Sequence, residues 1–78
     1  MGTAAEERAG KGCLGRAADD EPVFVLVAHD QVAAETVRDW AGRAQRAGVR
    51  DEKIKAAMEH ANTMDAWRLA NGGGKTPD

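Results

Sequence analysis

The large apolar side chains of this chain fall into one continuous run and two spaced stripes. Val23, Phe24, Val25, Leu26 and Val27 are consecutive. Further on, Ala33, Val37, Trp40, Ala41, Ala44 and Ala47 recur at helical intervals, and so do Ile54, Ala57, Met58, Ala61, Met64 and Trp67. Recurrence at the helical period puts each set on one face of a helix. Helices are therefore predicted at about residues 31–47 and 51–70. Asp30 and Asp51 stand where a carboxylate can accept the free amide protons of a first turn, and Gly48 and the sequence from Asn71 through Gly74 stand where helices stop. A connection as short as Gly48, Val49 and Arg50 forces neighbouring helices to lie antiparallel. The expected fold is mainly α, an antiparallel two-helix hairpin.

The continuous run needs another explanation. Pro22 holds Glu21 in extended conformations, and β-branched and aromatic residues dominate the run from Val23 to Val27, so residues 23–28 read as a short extended or β segment. Apolar side chains on both of its faces do not suit a half-exposed strand, because alternation would leave every second one in water. Packing across the hairpin is the preferred solution, and pairing with a second copy is the next. Residues 1–21 are glycine- and charge-rich and are expected to form a disordered leader, residues 22–71 the domain, and residues 72–78 a flexible tail.

Composition sharpens this picture. Hydrophobic residues make up 42% of the 78, but sixteen of them are alanine, which leaves few side chains able to fill a core. Pockets of about 300 Å³ or more need walls that so small a stock does not supply. With eleven basic and thirteen acidic residues the net charge is −2, so no global field draws the chain to nucleic acid or to an anionic membrane. The single cysteine cannot form an internal disulfide, no apolar stretch resembles a signal sequence, and none is long enough to span a bilayer. A cytoplasmic location without membrane contact is expected.

Few residues carry candidate chemistry. Gly74, Lys75 and Thr76 echo the end of a phosphate-binding loop, but Leu69 occupies the position of its first glycine and no helix comes after. The Gly10, Lys11, Gly12, Cys13, Leu14, Gly15 cluster likewise lacks a helix start that would fix its amides on an anion. Cys13, His29 and His60 match no zinc spacing, and a nucleophile in a leader is not held rigidly enough for catalysis. No catalytic, cofactor-binding or metal-ligating residue is assigned, and an enzyme is not expected. A helix-turn-helix reading would make residues 52–70 the recognition helix, where Lys53, Lys55 and Arg68 are balanced by Glu52, Glu59 and Asp65. Direct nucleic-acid binding is disfavoured.

What remains is surface for a protein partner. Trp40 lies mid-stripe and reads as core, whereas Trp67 lies on the last turns of the second helix, at the rim of a core too small to cover it. Tryptophan is enriched among residues that dominate binding energy, and Met58 and Met64 nearby suit an adaptable apolar groove. Arg38, Arg43, Arg46 and Arg50 make the first helix and its turn locally basic.

A family resemblance bears on this reading. The run from Gly12 through Leu26, then Val37, Trp40 and Ala41, then Met64, Asp65, Ala66 and Trp67, and finally Lys75, Thr76, Pro77 and Asp78, resembles a group of short proteins of proteobacteria, their phages and mobile elements. The group includes the QseM-type quorum-sensing antiactivators of rhizobial integrative and conjugative elements. Members often carry arginine and glutamine where this chain has Val27 and His29, a departure that lengthens the apolar run. The resemblance implies an antiactivator that binds transcriptional activators, either a LuxR-type quorum-sensing regulator or an activator of mobile-element excision. It implies no cofactor and no catalytic residue. The partner-binding residues expected on these combined grounds are Phe24, Leu26, Val37, Met64 and Trp67, with Arg38 and Arg43 as rim charges, on a monomer or weak homodimer. The alternatives are a small DNA-binding or excision-type regulator and a self-associating phage accessory module.

Overall fold

The computed structural model describes residues 2–74. They are mainly helical, with α1 at Ala4–Arg8, α2 at Cys13–Arg16, α3 at Ala33–Arg46 and α4 at Asp51–Ala70. α3 and α4 pack on each other, and so do α1 and α2; neither short helix packs on α3 or α4. Arg38, early in α3, reaches Asn62 and Asp65, late in α4, so the two long helices run in opposite directions.

The interface between them is made of alanine. Ala33, Ala34, Ala41 and Ala44 of α3 are buried, as are Ala57, Ala61 and Met64 of α4. Met64, at 7% exposure, is the one large side chain in that set. Small residues let helix axes approach closely, and close axes leave no room for an indole. Trp40 therefore does not enter the core as its place in the stripe suggests: the neighbouring Ala41 is buried while Trp40 stays 49% exposed. Met58, on α4, is also exposed.

The helix ends show how sequence sets the boundaries. Gly48 has φ +85, a left-handed conformation that only glycine adopts without strain. There the Val49 amide donates to the Ala44 carbonyl and the Gly48 amide to Gln45, a Schellman closure of α3. The expected carboxylate caps do not form. Turns from Val27 to Asp30 and from Asp30 to Ala33 carry the chain into α3, so Val32 takes the cap position with no side-chain cap bond. At α4 the cap position falls on Arg50, and Asp51 and Glu52 sit inside the first turn. There they favour the helix through its dipole.

The leader, expected to be disordered, carries two short helices. Thr3 and Glu6 form a reciprocal capping box on α1, and the Glu7 carboxylate accepts the Leu14 amide at the start of α2 at 3.0 Å. A Cβ on Gly15 would strike the backbone of Gly10, which is how closely the two turns approach. Residues 23–28 form no β-strand, since no neighbouring strand offers them a ladder; the described residues contain none. Gly72–Gly74, expected in the loose tail, fold back on α4, where the Gly73 amide donates to the Arg68 carbonyl at 2.8 Å. The remainder of that tail, residues 75–78, lies outside the described residues.

Candidate functional site

The extended segment crosses the start of α3 and the end of α4, but only part of it is seated. Leu26 and Ala28, with Val37 of α3, pack against the cluster of Ala33, Ala34, Ala61 and Met64. Phe24 is 87% exposed, and Val23, Val25 and Val27 also face solvent. The hairpin thus covers Leu26 and little else of the run. Its alanine surface is narrow and already occupied by α3 and α4, so it offers one row of contacts where the segment has two faces to bury.

The seven residues singled out from sequence divide into three groups. Leu26, Val37 and Met64 come together in and around the core, where they hold the segment on the hairpin rather than presenting a surface of their own. Phe24 and Trp67 are exposed, Trp67 at 49%. Phe24 lies two residues before the seated Leu26, and Trp67 lies one helical turn beyond the buried Met64. Arg38 and Arg43 part company. Arg38 is drawn into the interface, while Arg43 remains exposed and takes part in none of the ion pairs among the described residues.

Arg38 belongs to a chain of polar contacts along the same end of the hairpin. Its Nη2 donates to Asp65 Oδ2 at 2.6 Å and to Asn62 Oδ1 at 2.9 Å. Asp65 Oδ1 accepts from Arg68 Nη2 at 3.3 Å, and Arg68 Nη1 donates to the Gly73 carbonyl at 2.9 Å. The Arg38 hydrogen bond, with Arg68 adding to it, holds the Asp65 carboxyl below the usual aspartate range. Hydrogen bonds from Thr3 similarly lower the Glu6 carboxyl.

A carboxyl depressed by folding contributes stability in full above its unfolded value, near about 3.9, and loses it as pH falls through the folded value. Asp65→Asn is therefore expected to lower the melting temperature at neutral pH. The gap to the native chain should close as pH drops below about 4. A gap that is the same at neutral and acid pH would show that the network does not act through the Asp65 charge.

Several exposed apolar residues near this end lie outside the set expected from sequence. Leu69 and Val32 face solvent, as does Trp40 farther along α3. For Leu69 the signal is local, because it falls off the stripe of Met64 and Trp67. Opportunities for chemistry are sparse. His29, Asn71, Gly72 and Gly74 line a depression wide open to solvent, and His29 sits 3.5 Å from Asp30. Among the described residues no group of three or more His, Cys, Asp or Glu side chains is arranged to hold a metal ion. No helix among them is long and apolar enough to cross a membrane.

These features define a small, mainly helical protein that keeps alanine inside and carries phenylalanine, tryptophan and valine outside. Comparison with family models, with curated proteins and with solved structures finds no match.

Proposed function

We propose that this chain is a protein-binding regulator, an antiactivator that occupies a surface of a transcriptional activator and silences it by stoichiometric contact in the cytoplasm. The observation that carries the reading is the inverted distribution of large apolar side chains. Phe24 stands almost wholly in solvent and Trp67 half in solvent, each within a few residues of the packed set of Leu26, Val37 and Met64, which we take as the floor of one docking surface. Contiguous exposed apolar surface on a small protein marks an interaction site, and aromatic residues standing over a rigid floor have the properties of binding hot spots. The Arg38, Asp65, Arg68 network supports the same surface by fixing the end of α4 that bears Trp67. Arg43, exposed on α3, supplies a rim charge toward an acidic patch on the partner.

The resemblance to the QseM-type antiactivators selects the partner class: a LuxR-type quorum-sensing regulator or an activator of mobile-element excision. The test is co-expression with such an activator and a reporter it drives, with co-purification of the two proteins as the second readout. Reporter silencing with a stoichiometric complex is the expected result. Trp67→Ala should relieve silencing while leaving helicity near native, because Trp67 is half exposed and lies outside the alanine interface. Full silencing by Trp67→Ala would remove that residue from the site. Silencing without a complex, together with salt-sensitive binding of the purified chain to DNA, would replace this reading with that of a DNA-binding regulator.

A further inference from the structure

We infer that the segment Val23 to Val27 pairs with its own copy in a second chain, antiparallel and centred on Val25, giving a weak two-fold dimer. This goes beyond the proposed function and does not depend on it. Three observations meet here. No backbone group of residues 22–26 hydrogen-bonds to another described residue, and the first bond of the region is the Asp30 amide to the Val27 carbonyl. An extended stretch whose donors and acceptors are unspent among the described residues is a template for a neighbouring strand. Next, the residues are self-complementary about Val25: antiparallel pairing sets Val23 opposite Val27, Phe24 opposite Leu26, and Val25 opposite its own counterpart.

Leu26 is the member of the run seated on the hairpin core. A Phe24 brought opposite it is carried onto the same face, against the partner's hairpin, and the exchange is reciprocal. The side chain most exposed in one chain thereby finds cover that its own hairpin does not provide.

Charge selects the direction. Asp19, Asp20 and Glu21 directly precede the run and are exposed. Parallel pairing in register would align the three carboxylates of one copy with those of the other, whereas antiparallel pairing sends them to opposite ends. Area sets the strength. An aromatic side chain buries about 150–250 Å², so two Phe24 side chains with their valines give an interface below the roughly 1,200 Å² of stable complexes. The dimer is thus concentration-dependent.

Sedimentation of the purified chain alone, from micromolar to near-millimolar concentration, should show the mass rising from one chain toward two. Single cysteines then test the register. In a Cys13→Ser background, oxidised Val25→Cys should cross-link between copies faster than Val23→Cys, since Val25 faces its own counterpart and Val23 does not. Circular dichroism should show native helicity for both, because each side chain is largely exposed. A single-chain mass at every concentration overturns the inference. Cross-linking at Val23 as fast as at Val25 overturns it equally. Neither measurement involves an activator, so failure here leaves the proposed function standing, and failure of reporter silencing leaves the dimer standing.

Discussion

Ala61→Leu is expected to unfold the hairpin or bring it close to unfolding. Ala61 is fully buried in α4 and belongs to the cluster that includes Ala33, Ala34 and Met64. Three added carbons there meet helices already drawn together by alanine along most of their contact, where Met64 is the one buried side chain flexible enough to give way. Overpacking a well-filled core costs about 1–3 kcal/mol. At roughly 0.05–0.15 kcal/mol per residue, a hairpin of about forty residues has only about 2–6 kcal/mol to lose. The melting temperature should fall by about 10 °C or more, with part of the helical signal lost at room temperature. Ala66→Leu is the control. Ala66 lies on the same helix but is exposed, and the same change there should leave the melt within a few degrees of native. Equal melting temperatures for the two variants would show that the alanine seam is not what holds the helices together.

That seam explains which parts of the fold could be read from sequence. The helical period of Ala57, Ala61 and Met64 and the glycine at position 48 each act locally, and the described α3 and α4 carry both features. Trp40 misleads because its spacing from Val37 and Ala44 says only which face it shares, whereas the distance between backbones decides what that face admits. Asp30 misleads because two consecutive turns, each closed by a backbone bond, intervene before α3 begins. In the leader the cue is present and local: Thr3 and Glu6 have the spacing of a capping box, and the structure forms one. The high glycine content around it masks that cue. Gly10 and Gly15 instead allow α1 and α2 to approach each other, a long-range consequence that composition does not contain.

The candidate site obeys the same division. The run from Val23 to Val27 announces itself by having two apolar faces, and the face of Val23, Val25 and Val27 is left in solvent. Which residues become floor and which surface depends on how far the hairpin extends beneath the segment. Leu26 and Met64 are within its reach and Phe24 is not. Hydrophobicity alone ranks these three side chains together.

Phe24→Asp should abolish partner binding without disturbing the fold, and it has the largest expected effect on function of any single change. At 87% exposure Phe24 gives almost nothing to the free chain, so helicity and melting temperature should stay at native values. In the complex the same ring would be desolvated over a floor of Leu26, Val37 and Met64, which is where hot-spot residues lose about 2 kcal/mol or more on truncation. A carboxylate adds the penalty of burying an unpaired charge. Affinity for the activator is expected to fall at least about thirty-fold, the equivalent of about 2 kcal/mol, and measurement by calorimetry with the purified activator reads this directly. Phe24→Leu should recover part of the loss, because it restores apolar area without the ring. The contrast with Ala61→Leu is diagnostic: one change harms folding through a side chain that never meets the partner, and the other harms binding through a side chain that does nothing for folding. Native affinity in Phe24→Asp would move the docking surface to the Trp40 side of α3. Lost helicity would make Phe24 part of the fold, leaving Trp67 to carry the site.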